Sequence, residues 1–394
     1  MKKHHVFLLF SFLLFFAVSV SATEKTIIVR NGGGDSLIEH TLPAVVLAAA
    51  ENAPYIELHV GMTSDNQLVV FRDLTLNRLT DVANLFPERN REDGNFYVID
   101  FTLQEIRQLR LHNVFETDSS ALSMAIPTLQ EELALIRRLE KIMGKKEKTS
   151  AEYSMGISLE IKQPWFFHDH DRDISSAILD TLQLYGYTDR KSNLFLQCFD
   201  PEELQRIHDR LMPARQMDLP LIQMVGNEDI VEARQKILGE YIPYNYDWLF
   251  TNSGRRILAG YAAALALPGS LLLDREGNPI LQDYTTTLQQ YGVRIFAIQL
   301  KKRSEPFPAY ASDYPSLLLY FLQKTAIDGL YCNSFQRTGK IVNTFEEKEK
   351  RKADLPDFFS SLKLTVPPTQ HTVTPKQSIK NFNNLSSHGS LPSL

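Results

Sequence analysis

Residues 26–81 read TIIVRNGGGDSLIEHTLPAVVLAAAENAPYIELHVGMTSDNQLVVFRDLTLNRLTD, and the rest of the chain is read outward from them. A β-branched run over 26–30 ends at Arg30-Asn31 and breaks into glycines 32–34. Leu42 to Asn52 carries a helical pattern, and a second apolar run follows with Glu57 and His59 inside it. A turn at Ser64-Asp65-Asn66 leads to a third strand ending at Arg72-Asp73. Side chains alternate along a strand, so Glu57 and His59 share one face. Arg30 and Arg72 each sit where a strand gives way to a loop, the position at which barrel enzymes collect their site residues.

Beyond this stretch, apolar runs alternate with helical patterns. Core strands are expected at 26–30, 55–60, 157–162, 194–199, 220–225, 262–267, 294–299 and 328–333. Helices are expected at Ile174–Tyr185, Glu202–Leu211 and Asp313–Lys324, with Pro201 suited to a first helical turn. Strand and helix repeated in this way predict a parallel sheet with helices outside, and eight such units make an α/β (β/α)8 barrel, the TIM barrel. The run AALALPG at the sixth strand could equally continue a helix. Between the second and third barrel strands lies an insertion, about residues 61–152, too long for a simple loop. It takes in the strand with Arg72, a helix at Leu103–Leu109 and the run Leu129–Met143.

The ends differ in composition from this body. Lys2 and Lys3, the apolar run Val6–Val18 and Val20-Ser21-Ala22 read as a signal peptide over 1–22, which predicts a secreted, periplasmic protein with no membrane span after cleavage. The barrel is then expected over 23–345. Residues 346–394 are expected as a tail: the charged EEKEKRK could extend a helix, and from Thr365 onward the chain is rich in Ser, Thr, Pro, Asn and Gln, the composition of a disordered C-terminal segment. The net charge of −5 gives no reason to expect nucleic acid or an anionic membrane as partner. Cys198 and Cys332 fall on different predicted strands, which excludes a disulfide framework. The glycines at 32–34 lack the lysine of a phosphate-binding loop and the spacing of a dinucleotide site.

Several short motifs, in order, resemble the glycerophosphodiester phosphodiesterase family, especially its periplasmic branch. Arg30-Asn31-Gly32 and Ile38-Glu39-His40-Thr41 stand at the family's His-Arg-Gly and Pro-Glu-His/Asn-Thr, and Glu57-Leu58-His59 at its Glu-x-Asp. Val69-Val70-Phe71-Arg72-Asp73 matches its Val-Val and His-Asp strand, and Glu160 in SLEIKQPW matches its Pro-Glu-Ile-Lys. LFLQCFD with Gln197, DFTLQEI, and YNYDWLF with Tyr246 and Trp248 match the periplasmic branch. The resemblance spans about residues 26–345 and implies a barrel that hydrolyses glycerophosphodiesters to glycerol 3-phosphate and an alcohol.

It also implies site roles. Arg30 and Arg72 occupy the positions of the family's two catalytic histidines, its general acid and base. Imidazole titrates near neutrality, whereas a guanidinium keeps its charge and cannot exchange a proton there. An arginine can instead clamp a phosphate in bidentate fashion, or pair with a carboxylate such as Glu39, Glu57 or Glu160. Asn31, Lys162, Gln197 and Trp248 stand at substrate-binding positions. Glu57, His59 and Glu160 stand where the family holds a divalent cation, calcium or magnesium, with His59 in place of an aspartate. That set suits a hard ion less well, zinc or manganese better by ligand type, or else forms an ion-pair cluster with no metal. The ligand on either reading is a small glycerophosphodiester or phosphate. Three functions stay open: the hydrolase, a degenerate member that binds a phosphate-bearing ligand without metal, and an inert barrel serving as an interaction module.

Overall fold

The computed structural model describes residues 24–33, 37–112, 124–143, 154–227, 230–301 and 305–361. The segment expected as a signal peptide, and the tail beyond 361, lie outside the described residues, while the expected tail's start, residues 346–361, is helical. Met1–Glu349 is one compact unit and Lys350–Leu394 a second.

Eight parallel strands close on themselves in the first unit: β1 (Thr26–Val29), β2 (Tyr55–Met62), β3 (Gly156–Ile161), β4 (Leu194–Cys198), β5 (Leu221–Met224), β6 (Ala262–Pro268), β7 (Arg294–Ile298) and β8 (Gly329–Cys332). Each pairs with the next in chain order, and β1 pairs with both β2 and β8, which closes the barrel. The run AALALPG is strand β6. Helices α1 (Leu42–Ala50), α2 (Leu129–Met143), α3 (Ile174–Leu184), α4 (Pro201–Arg206), α5 (Asn252–Tyr261), α6 (Gln282–Gln290), α7 (Tyr314–Lys324) and α8 (Phe335–Ser361) follow the strands one for one. Their starts are chemically marked. Asp173 caps α3 by accepting from Ser176 N at 3.0 Å, Asp200 caps α4 ahead of Pro201, and Asp313 and Ser316 form a reciprocal box on α7. The helix expected to run to Leu211 stays α-helical only to Arg206 and widens to a π turn over Ile207–Leu211.

Two apolar layers follow from strand alternation. Ile56, Leu58 and Val60, with Ile157, Leu159 and Ile161, face outward and bury against the helices. The opposite faces point into the barrel, where Ile28, Phe195, Ile222, Ala264 and Phe296 fill the interior. Both faces are buried, so the strands read as continuous apolar runs broken only by inward polar residues.

The insertion leaves the end of β2. Its strand Leu68–Val70 runs antiparallel to β2, with Val60 opposite Val70, and ends two residues before Arg72. Phe71, Leu76, Leu79, Phe96, Phe101 and Ile106 give it a small core of its own. Two expectations need correction. The helix at 103–109 is a single turn, Leu103–Ile106, set by a Thr102/Glu105 capping box. The run Leu129–Met143 is not part of the insertion's core. Its Leu129, Leu133 and Ile136 pack in the main core, because its apolar stripe matches the barrel's outer layer.

Candidate functional site

The strand register builds the site. His59 lies beside Glu160, and Glu160 beside Gln197, on three adjacent strands. Glu57 is two residues back on β2, and Lys162 two beyond Glu160, so all five side chains face the barrel interior near its C-terminal mouth. Arg30 follows β1 directly. Phe71 N donates to His59 O at 2.9 Å, which brings the next residue, Arg72, over the same mouth. Arg30, Glu57, His59, Arg72, Glu160 and Lys162 all line one cavity of about 170 Å³. Phe199, Met224, Ile230, Ile298 and Tyr331 form its apolar side.

Ion pairs occupy its floor. His59 Nε2 is 3.1 Å from Glu160 Oε2 and 3.3 Å from Glu57 Oε2. Lys162 Nζ is 3.1 Å from Glu160 Oε1 and 2.7 Å from Glu232 Oε2. Arg30 Nε approaches Glu57 Oε2 at 3.6 Å. Gln197 Nε2 donates to Glu57 Oε1 at 3.0 Å, while its Oε1 accepts from Ser158 and, at 2.5 Å, from Tyr331 OH. Burial pulls the His59 pKa down, but the facing Glu160 and Glu57 outweigh it and hold the ring above its ordinary value. Burial likewise raises both glutamates, yet His59 and Arg30 beside Glu57, and Lys162 and His59 beside Glu160, leave both below the usual carboxylate range. Below the imidazolium lies His40, whose Nε2 is 2.9 Å from His59 Nδ1. Burial, reinforced by His59, lowers the His40 pKa well below normal, so His40 stays neutral and accepts from His59.

Charge in this layer balances. Glu57, Glu160 and Glu232 face Arg30, His59 and Lys162, three carboxylates against three cations. Glu39 is not available to the mouth arginines, because Arg78 holds it at 2.6 Å and Asp73 at the same distance. Arg72 therefore lines the cavity without a carboxylate partner among the described residues.

Glu57, His59 and Glu160 each offer a ligand atom within 4.8 Å of the others. The donor set does not fit calcium or magnesium. Such ions want a shell of oxygens, and here the imidazole Nε2 already sits between both carboxylates with Lys162 and Arg30 behind them. A softer ion would need His59 deprotonated, which the two carboxylates oppose.

The remaining expected residues sit apart from the opening. Asn31 closes β1 in the left-handed region, φ 59°, and accepts the His40 N–H through its carbonyl at 2.9 Å. Gln197 is fully buried under the two glutamates and does not line the cavity. Trp248 packs against the main core, and its Nε1 donates to Tyr244 OH at 3.0 Å. Tyr331 and Glu232 carried no motif, although both hold groups of the floor in place. Cys198 and Cys332 are buried free thiols.

A closed parallel barrel with a cationic, ion-paired mouth is the class that fold and site define. A family model described as "Glycerophosphoryl diester phosphodiesterase family" matches residues 31–305, and the chain belongs to that family. It is 34% identical to a glycerophosphodiester phosphodiesterase of Haemophilus influenzae over 80% of this chain and 89% of that protein. To one of Treponema pallidum it is 33% identical, over 78% and 89%. An Oleispira antarctica phosphodiesterase, solved in complex with the product sn-glycerol-3-phosphate, superposes with a TM-score of 0.51 at 16% identity, covering 81% of this chain and 96% of that one. A Parabacteroides distasonis glycerophosphoryl diester phosphodiesterase does so at 0.51 and 14%, over 82% and 88%.

Proposed function

We propose that the barrel mouth binds a phosphate-bearing glycerol compound, glycerol 3-phosphate or a glycerophosphodiester, and does so without a divalent metal. The observation that carries this is Arg72, a guanidinium over the cavity with no carboxylate of its own among the described residues. In a layer whose other charges cancel, it is the surplus cation, lining the same cavity as Arg30 and suited to bidentate contact with phosphate oxygens. Phe199, Met224 and Ile298 offer a carbon skeleton an apolar wall.

Hydrolysis to glycerol 3-phosphate and an alcohol is the second reading, favoured by the names of the relatives at 33–34% identity. Among the residues lining the cavity, His59 is the one imidazole, held above its ordinary pKa and fixed between two carboxylates. Each lost proton-transfer group typically costs about 10²–10⁴-fold in rate, so binding should outlast turnover. Calorimetric titration with glycerol 3-phosphate and glycerophosphocholine, in EDTA and then in calcium, tests the reading. Binding in EDTA that is lost in Arg72→Met supports it. Binding that appears only with calcium, or wild-type turnover as fast as that of an Arg30→His/Arg72→His variant, overturns it in favour of the hydrolase.

A further inference from the structure

The connection from β5 to β6 carries a two-stranded hairpin, Arg234–Ile237 paired with Glu240–Pro243. It rises from the rim of the mouth: Ile230 lines the cavity, and Glu232, just before the hairpin, holds Lys162. Its two faces differ. Lys236 lies opposite Tyr241 on one, and Tyr241 sits on Trp165 with ring centroids 4.9 Å apart. Tyr241 OH and Lys236 Nζ both reach Asp169, at 3.0 and 3.2 Å, and Arg234 lies over the Trp165 ring. This face clamps the hairpin to the helix Pro164–His168. The other face carries Ile237 and Ile242 together with Gln235 and the exposed Glu240, which lies opposite Ile237, and the tip presents Leu238, which is 100% exposed.

That tip is locally unfavourable twice over. Leu238 and Gly239 form a two-residue turn with φ of 52° and 91°. Such a turn calls for Asn-Gly, since a branched apolar side chain at positive φ is strained. An aliphatic side chain with no neighbour, held in a strained turn on an anchored hairpin, is the kind of outlier that marks a functional contact.

We propose that this hairpin docks the protein on a lipid bilayer surface, with Leu238 entering the acyl boundary, Ile237 and Ile242 at its edge, and Glu240, Tyr241 and Trp165 at headgroup level. The apolar groups project from a convex tip, which a fluid bilayer accommodates without a matching pocket. Aromatic rings and a lysine behind an aliphatic tip reproduce the order of groups found across a membrane interface. The contact is apolar rather than electrostatic. The groove beside the hairpin carries Arg206, Arg210, Arg234 and Lys236 against Asp173, Asp200, Glu202, Glu203 and Asp209, four cations facing five carboxylates. Docking by so small an apolar area is weak and reversible. The inference is independent of whether the mouth cleaves its ligand.

The test is cosedimentation of the full mature chain with phosphatidylcholine vesicles, at low and at roughly 0.5 M salt, for wild type and Leu238→Asn. The substitution supplies the residue that the turn prefers, so the thermal midpoint should hold or rise. Vesicle affinity should fall about ten-fold, the effect of withdrawing one buried leucine, and wild-type binding should change little with salt. Absence of wild-type binding, equal binding by the variant, or binding that salt abolishes would overturn the proposal. So would wild-type self-association in sedimentation velocity that Leu238→Asn removes, which would assign the tip to a second copy of the chain.

Discussion

If the mouth works without a metal, as proposed, replacing His59 by aspartate should make the barrel calcium-dependent. In the wild type the His59 ring lies 3.1 and 3.3 Å from two buried carboxylates. At an effective dielectric constant of about 20, each contact is worth roughly 5 kcal/mol before desolvation is subtracted. Removing one partner of a buried charge cluster costs about 3–5 kcal/mol net. In His59→Asp, three carboxyls would share the site, and a proton would be taken up to relieve them. Forcing a carboxyl to hold a proton about three pH units above its normal range costs roughly 4 kcal/mol, in the same interval. A domain of this size moves about 2 °C per kcal/mol, so the variant in EDTA should melt about 8 °C below wild type. Calcium then meets an all-oxygen set, and at about 100 times its dissociation constant it returns roughly 2.7 kcal/mol, about 5 °C. The wild type should melt at one temperature in EDTA and in calcium. Differential scanning calorimetry on both proteins decides the matter. A wild-type midpoint that rises with calcium as far as the variant's, or a variant in EDTA as stable as wild type, would refute the reasoning that His59 stands in for the ion.

Three further outcomes are expected. His59 has a raised pKa, so its stabilisation is complete below about pH 6.5 and is lost as pH rises through its folded value; the lowered Glu57 and Glu160 contribute above about pH 4.5 and lose effect on further acidification. Melting midpoints should therefore form a plateau between these limits, and the alkaline fall should vanish in His59→Gln. Glu132 on α2 is fully buried with both carboxylate oxygens unpartnered, and burial lifts its pKa to about 8. Folding then holds a proton that the unfolded chain releases, so Glu132→Leu should stabilise by about 3 kcal/mol at pH 7, an advantage that shrinks to near zero at pH 4 in denaturant titrations. Neither buried thiol should react with a thiol reagent in the native protein, and both Cys198 and Cys332 should react in denaturant, where one shared disulfide would leave none.

Local pattern made the barrel readable. Strands buried on both faces show as short apolar runs, and the spacing of Glu57 with His59 and of Glu160 with Lys162 follows from a period of two. Strand boundaries differ from the expected ones by one or two residues, the helices that end at Arg206 and Ile106 stop five and three residues short, and a sequence shows that the stripe of Leu129–Met143 is apolar but not which core it faces. The candidate site was legible as a set of residue types and no further. Whether Arg72 clamps a ligand or closes an ion pair depends on where Glu39 goes, and Arg78 takes it. That His59 rests on His40, and Lys162 on Glu232, depends on folding segments far apart in the chain to within hydrogen-bond distance. Backbone periodicity is a local property, so the sequence alone determined the strands and which side chains turn inward. Pairing among buried charges is a competition settled by distances of a few ångströms, and only the closed barrel decided which cation each carboxylate received and which one was left over.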